Sequence, residues 1–535
     1  WGSVRAVFGA HEPVLGRVPP LGLRGEDGRT RKYNAAFVAA DGAPVGNGVF
    51  SGFTPKSLLP KYREFDDARH FHALPLLAAE IGAAPADLVE PFELLIDGVR
   101  RKVGVILCED MWDDDYAFRP VDVLKAKGAG VIVNLSASPF GIGKQAKRDR
   151  ILARQSRGCE FHYVNCTGAQ DNGKNIFVFD GASPVFVDGR KVAQGPSFRE
   201  ATVTLASGAG DALAEIAQIE GAIVEGLRAS LARIGATRVV IGISGGIDSA
   251  LVAVLCTGVL GAENVIGVNM PSRHNSATTR GLAAELAARL GITYLVAPIE
   301  EAVDVSRRQV ADLTGVPVAG LVDENIQARD RGSRVLAALA AQFGAIGRTG
   351  VVFTNNGNKT EVAQGYCTLY GDVGGAVAPL ADLYKTQVYA LARHVNAMRG
   401  DPIPEGILAV KPSAELSAAQ NPERGGGDPF QFEYHDRLLY QLIELRRDPE
   451  EILADFAAGR LEEALGLAGG RTVVGTFFPD AAAFVADLEL VWRRFKGSFF
   501  KRVQAPPIVA VSKRAFGFDL READRKSTRL NSSHA

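Results

Sequence analysis

The chain has 535 residues, 47% hydrophobic and 23% charged, a composition that excludes a disordered chain or a fibre. Its 60 Lys and Arg balance 61 Asp and Glu to a net charge of -1. No basic excess exists to hold nucleic acid through its phosphates, and no apolar run approaches the roughly 18 residues of a membrane span.

Five cysteines (Cys108, Cys159, Cys166, Cys256, Cys367) are odd in number and widely spaced. They predict free thiols in a reducing, cytoplasmic compartment. Residues 1–205 carry short β-like apolar runs at 33–38, 102–107, 130–135, 175–179 and 183–187, with a helix near 144–159. Residues 206–212 are small and polar and read as a linker. Beyond them helices are predicted at 213–234, 248–260, 277–290 and 331–343. Strands are predicted at 239–243, 265–269, 293–297 and 350–354. That alternation implies a doubly wound parallel sheet. Residues 525–535 turn abruptly rich in Ser, Arg and Asn and read as a non-native tail; residues 1–16 also read as out of register with a native sequence.

Ser244-Gly245-Gly246-Ile247-Asp248-Ser249 stands between an apolar strand and an apolar helix. Glycines there allow close backbone approach, and helix N–H groups join the serine hydroxyls as anion donors. The Gly-Lys-Ser/Thr ending of a Walker loop is absent. Asp248 would repel a bare phosphate, so its place there implies Mg²⁺ between the two.

This loop resembles the pyrophosphate loop of the ATP-pyrophosphatase enzymes. Five further stretches follow in order: Asn269-Met270-Pro271-Ser272, Glu324 to Arg329, Asn355 to Glu361 after Thr354, Tyr370-Gly371-Asp372 with Asp382 to Tyr389, and Pro412 to Leu416. Together they resemble the synthetase domain of the NAD synthetases over 213–524. Asp428-Pro429-Phe430-Gln431-Phe432 departs from that family's acidic–Leu–Pro–Pro run. The resemblance implies that a deamido-NAD carboxylate attacks ATP, pyrophosphate leaves, and ammonia displaces AMP from a nicotinyl-adenylate. It implies ATP and pyrophosphate contacts from Ser244 through Ser249, Met270, Arg329 and Thr354. It implies deamido-NAD contacts from Asn325, Lys359, Asp372 and Lys385, Mg²⁺ ligands Asp248 and Glu361, and a homo-oligomer built through this domain. The closing run Lys501-Arg502, with Ser512 and Arg514, reads equally as a phosphate contact or as a charged terminal clamp.

In the first half, the apolar run 103–107 ends at Cys108-Glu109-Asp110-Met111-Trp112, placing a thiol at a turn after a buried strand. Lys56-Ser57-Leu58-Leu59-Pro60 with Tyr62 lies upstream, and Asn134 to Pro139 with Gly143-Lys144 lies downstream. These stretches resemble the nitrilase-type glutamine amidase domain fused to NAD synthetases, an α/β/β/α sandwich, here incomplete at its N-terminus. The resemblance implies a Cys–Glu–Lys triad in which Cys108 is the nucleophile and Lys56 the lysine, with Ser138 and Lys144 at the glutamine. No glutamate is assigned to the triad: Glu12 and Glu26 stand in the wrong context, and Glu64 is an auxiliary candidate only. Competing readings are an ammonia-only synthetase with a scaffold amidase half, a non-enzymatic remnant, and another amidotransferase of GMP synthetase type.

Overall fold

The computed structural model describes residues 4–7, 32–62, 65–96, 98–210 and 213–516. Glu12, Glu26, Glu64 and residues 525–535 lie outside the described residues. The chain divides into two compact units. One holds the residues up to Gly168 together with Phe179–Leu213; the other holds Ala169–Val178 and the residues from Ala214 onward.

The first unit is built on strands β1 (Ala35–Ala40), β2 (Phe92–Ile96), β3 (Val99–Leu107), β4 (Val131–Ser136), β5 (Glu160–Asn165), β6 (Pro184–Val187) and β7 (Arg190–Gln194). Six of them form one sheet in the order β7-β6-β5-β4-β3-β2. Its centre, β3-β4-β5, is parallel, and its outer pairs are antiparallel. The two faces of β3 separate by alternation. Val103, Val105 and Leu107 pack with Ala36 and Val38 of β1. Ile106 packs with helices α1 (Leu74–Glu80), α2 (Pro120–Ala126) and α3 (Lys144–Gln155) through Leu77, Leu124 and Leu152. The described residues therefore supply helices, a central sheet and a second small sheet in which β1 pairs antiparallel with Phe53–Pro55.

The second unit is built on α4 (Glu215–Arg233), β8 (Ala236–Gly242), α5 (Ile247–Leu260), β9 (Val265–Asn269), α6 (Ala277–Leu290), β10 (Thr293–Val296), α7 (Ala337–Gly347) and β11 (Gly350–Phe353). The sheet is parallel, in the order β10-β9-β8-β11. Val239, Val240 and Ile241 are buried on both faces, as a sheet covered by helices requires. Helix α6 starts where the Ser276 side chain accepts the Thr279 N–H and stops at Gly291, at φ +65°. Strand order reverses beside β8, so the chain leaves β8 and β11 into one crevice, the place where such sheets bind ligands.

Two features differ from the sequence reading. The helix expected over 331–343 opens with a π-helical stretch, Asp330–Leu336, before α7. Residues 169–178 belong to the second unit, because Asn175, Ile176 and Phe177 pair in parallel with Ile508, Val509 and Ala510.

Ile241 is fully buried at the centre of this sheet. Ile241→Ala is expected to cost about 2–5 kcal/mol of stability, read as a lower urea midpoint with an unchanged denaturant slope; a smaller shift would mean that the strand is not the core of the unit.

Candidate active sites

The crevice at the strand reversal is a cavity of about 370 Å³. The loop between β8 and α5 forms its floor. Gly246 N–H donates to Ser244 Oγ (3.1 Å), and Ser244 N–H donates to Ser249 Oγ (3.3 Å). The loop is thereby folded on itself with the first turn of α5 facing the cavity. Ser244, Gly246, Ile247, Asp248 and Ser249 line it. Gly245 does not. It sits at φ +87°, and a Cβ there would lie 2.1 Å from Thr279 O, so it is the point where the loop packs on α6.

The charged centre joins three elements. Helix α8 (Lys359–Gln364) follows β11, and α9 (Lys385–Arg399) follows it. Lys385 Nζ donates to Asp248 Oδ2 at 2.5 Å and to Glu361 Oε1 at 3.2 Å, and Asn358 Nδ2 donates to Asp248 Oδ1 at 2.9 Å. Lys385 is held well above the ordinary lysine range: burial acts to lower its pKa, but the charges of Asp248 and Glu361 outweigh it. Burial pushes the Glu361 carboxyl upward, Lys385 opposes this, and Asp248 reinforces it. Two carboxylates that meet on one ammonium also meet at a point a hard cation could occupy. Asp248 and Glu361 therefore fit the donor set of Mg²⁺, which commonly takes one or two carboxylates and completes its shell with phosphate oxygens and water.

Met270, Asn325, Thr354 and Asp372 also line the cavity. Thr354 Oγ1 donates to Asn356 Oδ1 (2.9 Å), Thr368 Oγ1 donates to Asn325 Oδ1 (2.7 Å), and Thr368 N–H donates to Asp372 Oδ1 (2.7 Å).

Besides Gly245, two further expected ligands are not brought there. Arg329 is exposed, with its Nε on Leu369 O. Arg331 takes the inward place, donating to Met270 O (3.0 Å) and Asn275 Oδ1 (3.1 Å). Burial pulls the Arg331 guanidinium down to about 10. Arg331 continues the cavity face of Leu321, Glu324, Asn325 and Ala328 at ordinary helical spacing, and Arg329 falls off that face. Lys359 is fully buried and absent from the lining. Its Nζ donates to Asp382 Oδ1 (2.9 Å), Glu444 Oε1 (2.6 Å), Ser512 Oγ (2.8 Å) and Arg514 O (2.9 Å). The closing segment is thus largely a clamp. Arg502 donates to Ala363 O and Phe495 O, while Lys501 lines the cavity and donates to Gly365 O and Cys367 O. Sequence reasoning also missed Glu415. It lies in the loop over α6 and accepts from Ser276 N–H (3.1 Å) and Thr279 Oγ1 (2.8 Å).

In the first unit Cys108 follows β3 at φ +41°, a left-handed conformation uncommon outside glycine. Burial pushes its thiol up; Lys56 and Lys144 oppose this electrostatically, and the Ala137 N–H bonds to the sulfur. Lys56 is buried, and its Nζ donates to Asp67 Oδ2 at 2.5 Å. Asp67 stands eleven residues after Lys56, and only the fold shows that the two face each other. Glu109 accepts from Tyr62 OH (3.0 Å) and Tyr116 OH (3.0 Å). Lys144 Nζ, at the start of α3, donates to Pro139 O (2.8 Å), and the neighbouring Ser138 N–H donates to Asn165 Oδ1 (2.9 Å). All five cysteines are free. No helix among the described residues is long and apolar enough to cross a membrane.

A family model described as NAD synthase matches residues 219–463. A glutamine-dependent NAD(+) synthetase of Synechocystis sp. is 31% identical over 94% of this chain and 83% of its own length. One from Thermotoga maritima is 34% identical over 83% of this chain and 78% of its own. The solved glutamine-dependent NAD+ synthetase of Acinetobacter baumannii, in complex with ADP, superposes with TM-score 0.62 at 29% identity, covering 92% of this chain and 81% of that one.

Lys359 can be tested as a buried tie. Lys359→Met would leave Asp382 and Glu444 buried without their cation, and is expected to cost about 3–5 kcal/mol in urea unfolding; an unchanged midpoint would remove it from that role.

Proposed function

The chain belongs to the glutamine-dependent NAD(+) synthetases, and we propose that its two units divide the reaction at the residues described above. The protein is a ligase that forms a carbon–nitrogen bond: it amidates deamido-NAD to NAD at the expense of ATP, with nitrogen from glutamine. The observation that carries the residue assignment is the convergence of the Ser244–Ser249 loop, Asp248, Glu361 and Lys385 on one switch-point cavity.

A carboxylate is a poor electrophile and must first be activated. In the second unit the deamido-NAD carboxylate attacks the α-phosphorus of ATP, and pyrophosphate departs into the loop. Ser244, Gly246 and Ser249 line the cavity beside the N-terminus of α5, and the bonds they make within the loop would be exchanged for bonds to that charge. Lys385 places its ammonium where the negative charge grows. Bound at Asp248 and Glu361, Mg²⁺ would supply further neutralisation of the leaving phosphates. Arg331 and Asp372 line the same cavity and are assigned to deamido-NAD; Met270 and Thr354 are assigned to the nucleotide. Ammonia then attacks the nicotinyl carbonyl and AMP leaves.

In the first unit the Cys108 sulfur attacks the glutamine carboxamide. Lys56, kept cationic by Asp67, faces the developing oxyanion together with backbone N–H groups of the turn. Ammonia leaves, and water hydrolyses the thioester to glutamate. Ser138 and Lys144 are assigned to the amino-acid end of glutamine. Free cysteines support a cytoplasmic setting. Exposed Leu313, Val316, Leu321 and Val322 support a homo-oligomer through the second unit.

Cys108→Ala is expected to lower glutamine-supported NAD formation by about 10³-fold or more while ammonium-supported formation is unchanged. Loss of both would sink the division between units. Asp248→Asn is expected to slow ATP–pyrophosphate exchange in the presence of deamido-NAD by about 10²–10³-fold; full exchange in that variant would overturn the assignment of the phosphate loop.

A further inference from the structure

Cys108 and Lys56 come from separate segments. Lys56 follows the short strand Phe53–Pro55, and Cys108 follows β3. Between the two segments lies Asp110, whose side chain points back under the turn and is 1% exposed. Its Oδ1 accepts the N–H of Ser57 (3.0 Å) and of Leu58 (2.7 Å), and its Oδ2 accepts the N–H of Leu107 (3.0 Å). Those amides belong to the two residues after Lys56 and the one before Cys108. We propose that Asp110 is a positioning residue for glutamine hydrolysis, a single carboxylate that sets the placement of Lys56 against Cys108. The proposal rests on the amidase reading of those two residues.

Three features support it. Three N–H donors converge on two oxygens, which only an acceptor-only group can satisfy. An asparagine would turn its NH₂ toward at least one of the three donors, releasing either the Cys108 side or the Lys56 side. Next, Cys108 holds a left-handed backbone, a conformation that persists only where its surroundings fix it; the bond at Leu107 fixes the residue just before it. Finally, Lys56 is bound at its tip by Asp67 and at its backbone by Asn34 O (2.7 Å). The bonds at Ser57 and Leu58 complete the hold on the C-terminal side.

The test is alkylation of Cys108 by iodoacetamide in the full chain, which does not depend on glutamine turnover. The groups facing the thiol are Lys56, Lys144, Glu109, Tyr62, Tyr163, Cys166 and the Ala137 N–H. Asp110→Asn removes none of them, so a change in alkylation reports their geometry. The expected result is an alkylation rate lower by about 10- to 100-fold near neutral pH. The pH midpoint should move upward as Lys56 loses its placement, and glutamine-supported kcat should fall with little change in KM. Ammonium-supported synthesis should stay at the wild-type level. A variant that melts earlier but whose Cys108 keeps the wild-type rate and midpoint would make Asp110 merely structural and overturn the proposal. If Asp110→Asn does not fold, amide hydrogen exchange of the unaltered protein decides. Ser57, Leu58 and Leu107 should be protected together, and rapid exchange at Ser57 and Leu58 beside a protected Leu107 would overturn it. Failure of the amidase reading is seen separately, as glutamine use that survives Cys108→Ala.

Discussion

The ammonium of Lys385 between Asp248 and Glu361 is the constraint around which the second unit is arranged. Two carboxylates brought this close cannot both remain ionised unless a cation lies between them. Each comes from a different helix start, α5, α8 and α9, so the charge triplet also fixes where three helices begin relative to the sheet edge. Asn358 adds to this: it caps α8 through the Glu361 N–H and bonds Asp248 with its amide nitrogen. The acidic pair thus stands at the end of the sheet where helix dipoles favour negative charge.

The first unit uses the opposite tactic. The groups assigned to its reaction sit where two strands end, Cys108 after the parallel β3 and Lys56 after the antiparallel Phe53–Pro55, and the charged ones have short local partners: Asp67 for Lys56, and two tyrosines for Glu109. A thiol in such a setting is pushed toward its neutral form by burial, so its reactivity rests on where the cationic side chains stand. Placement outweighs bulk electrostatics there.

Much of this was legible in the sequence, and the parts that were not share a physical reason. The loop 244–249 and the strand–helix alternation around it could be read because residue type and spacing together dictate backbone form. The strand before Cys108 could be read because an apolar run followed by a polar turn has few other solutions. The resemblance to the family supplied the chemistry. What failed was direction. Lys359 stands in the right motif, but its side chain turns into the protein to neutralise Asp382 and Glu444, acids far away in sequence. Arg329 and Arg331 are alike in residue type and differ in helix face: Arg331 stands with Glu324, Asn325 and Ala328, and Arg329 stands off that face. Asp67 and Asp110 lie close in sequence to Lys56 and Cys108, yet their partners are a lysine and backbone groups that only the folded chain brings near.

The pairing of Asn175–Phe177 with Ile508–Ala510 bears on how the two halves could be separated. A gene cut in the small polar stretch near residue 206 looks natural from sequence. It would strand residues 169–178 on the wrong fragment and leave Ile508, Val509 and Ala510, all buried at present, along an uncovered β edge. Such an edge invites pairing between copies and precipitation. The halves are better expressed with a graft that carries the ten-residue segment across, so that the boundary of the gene follows the hydrogen bonds and not the linker.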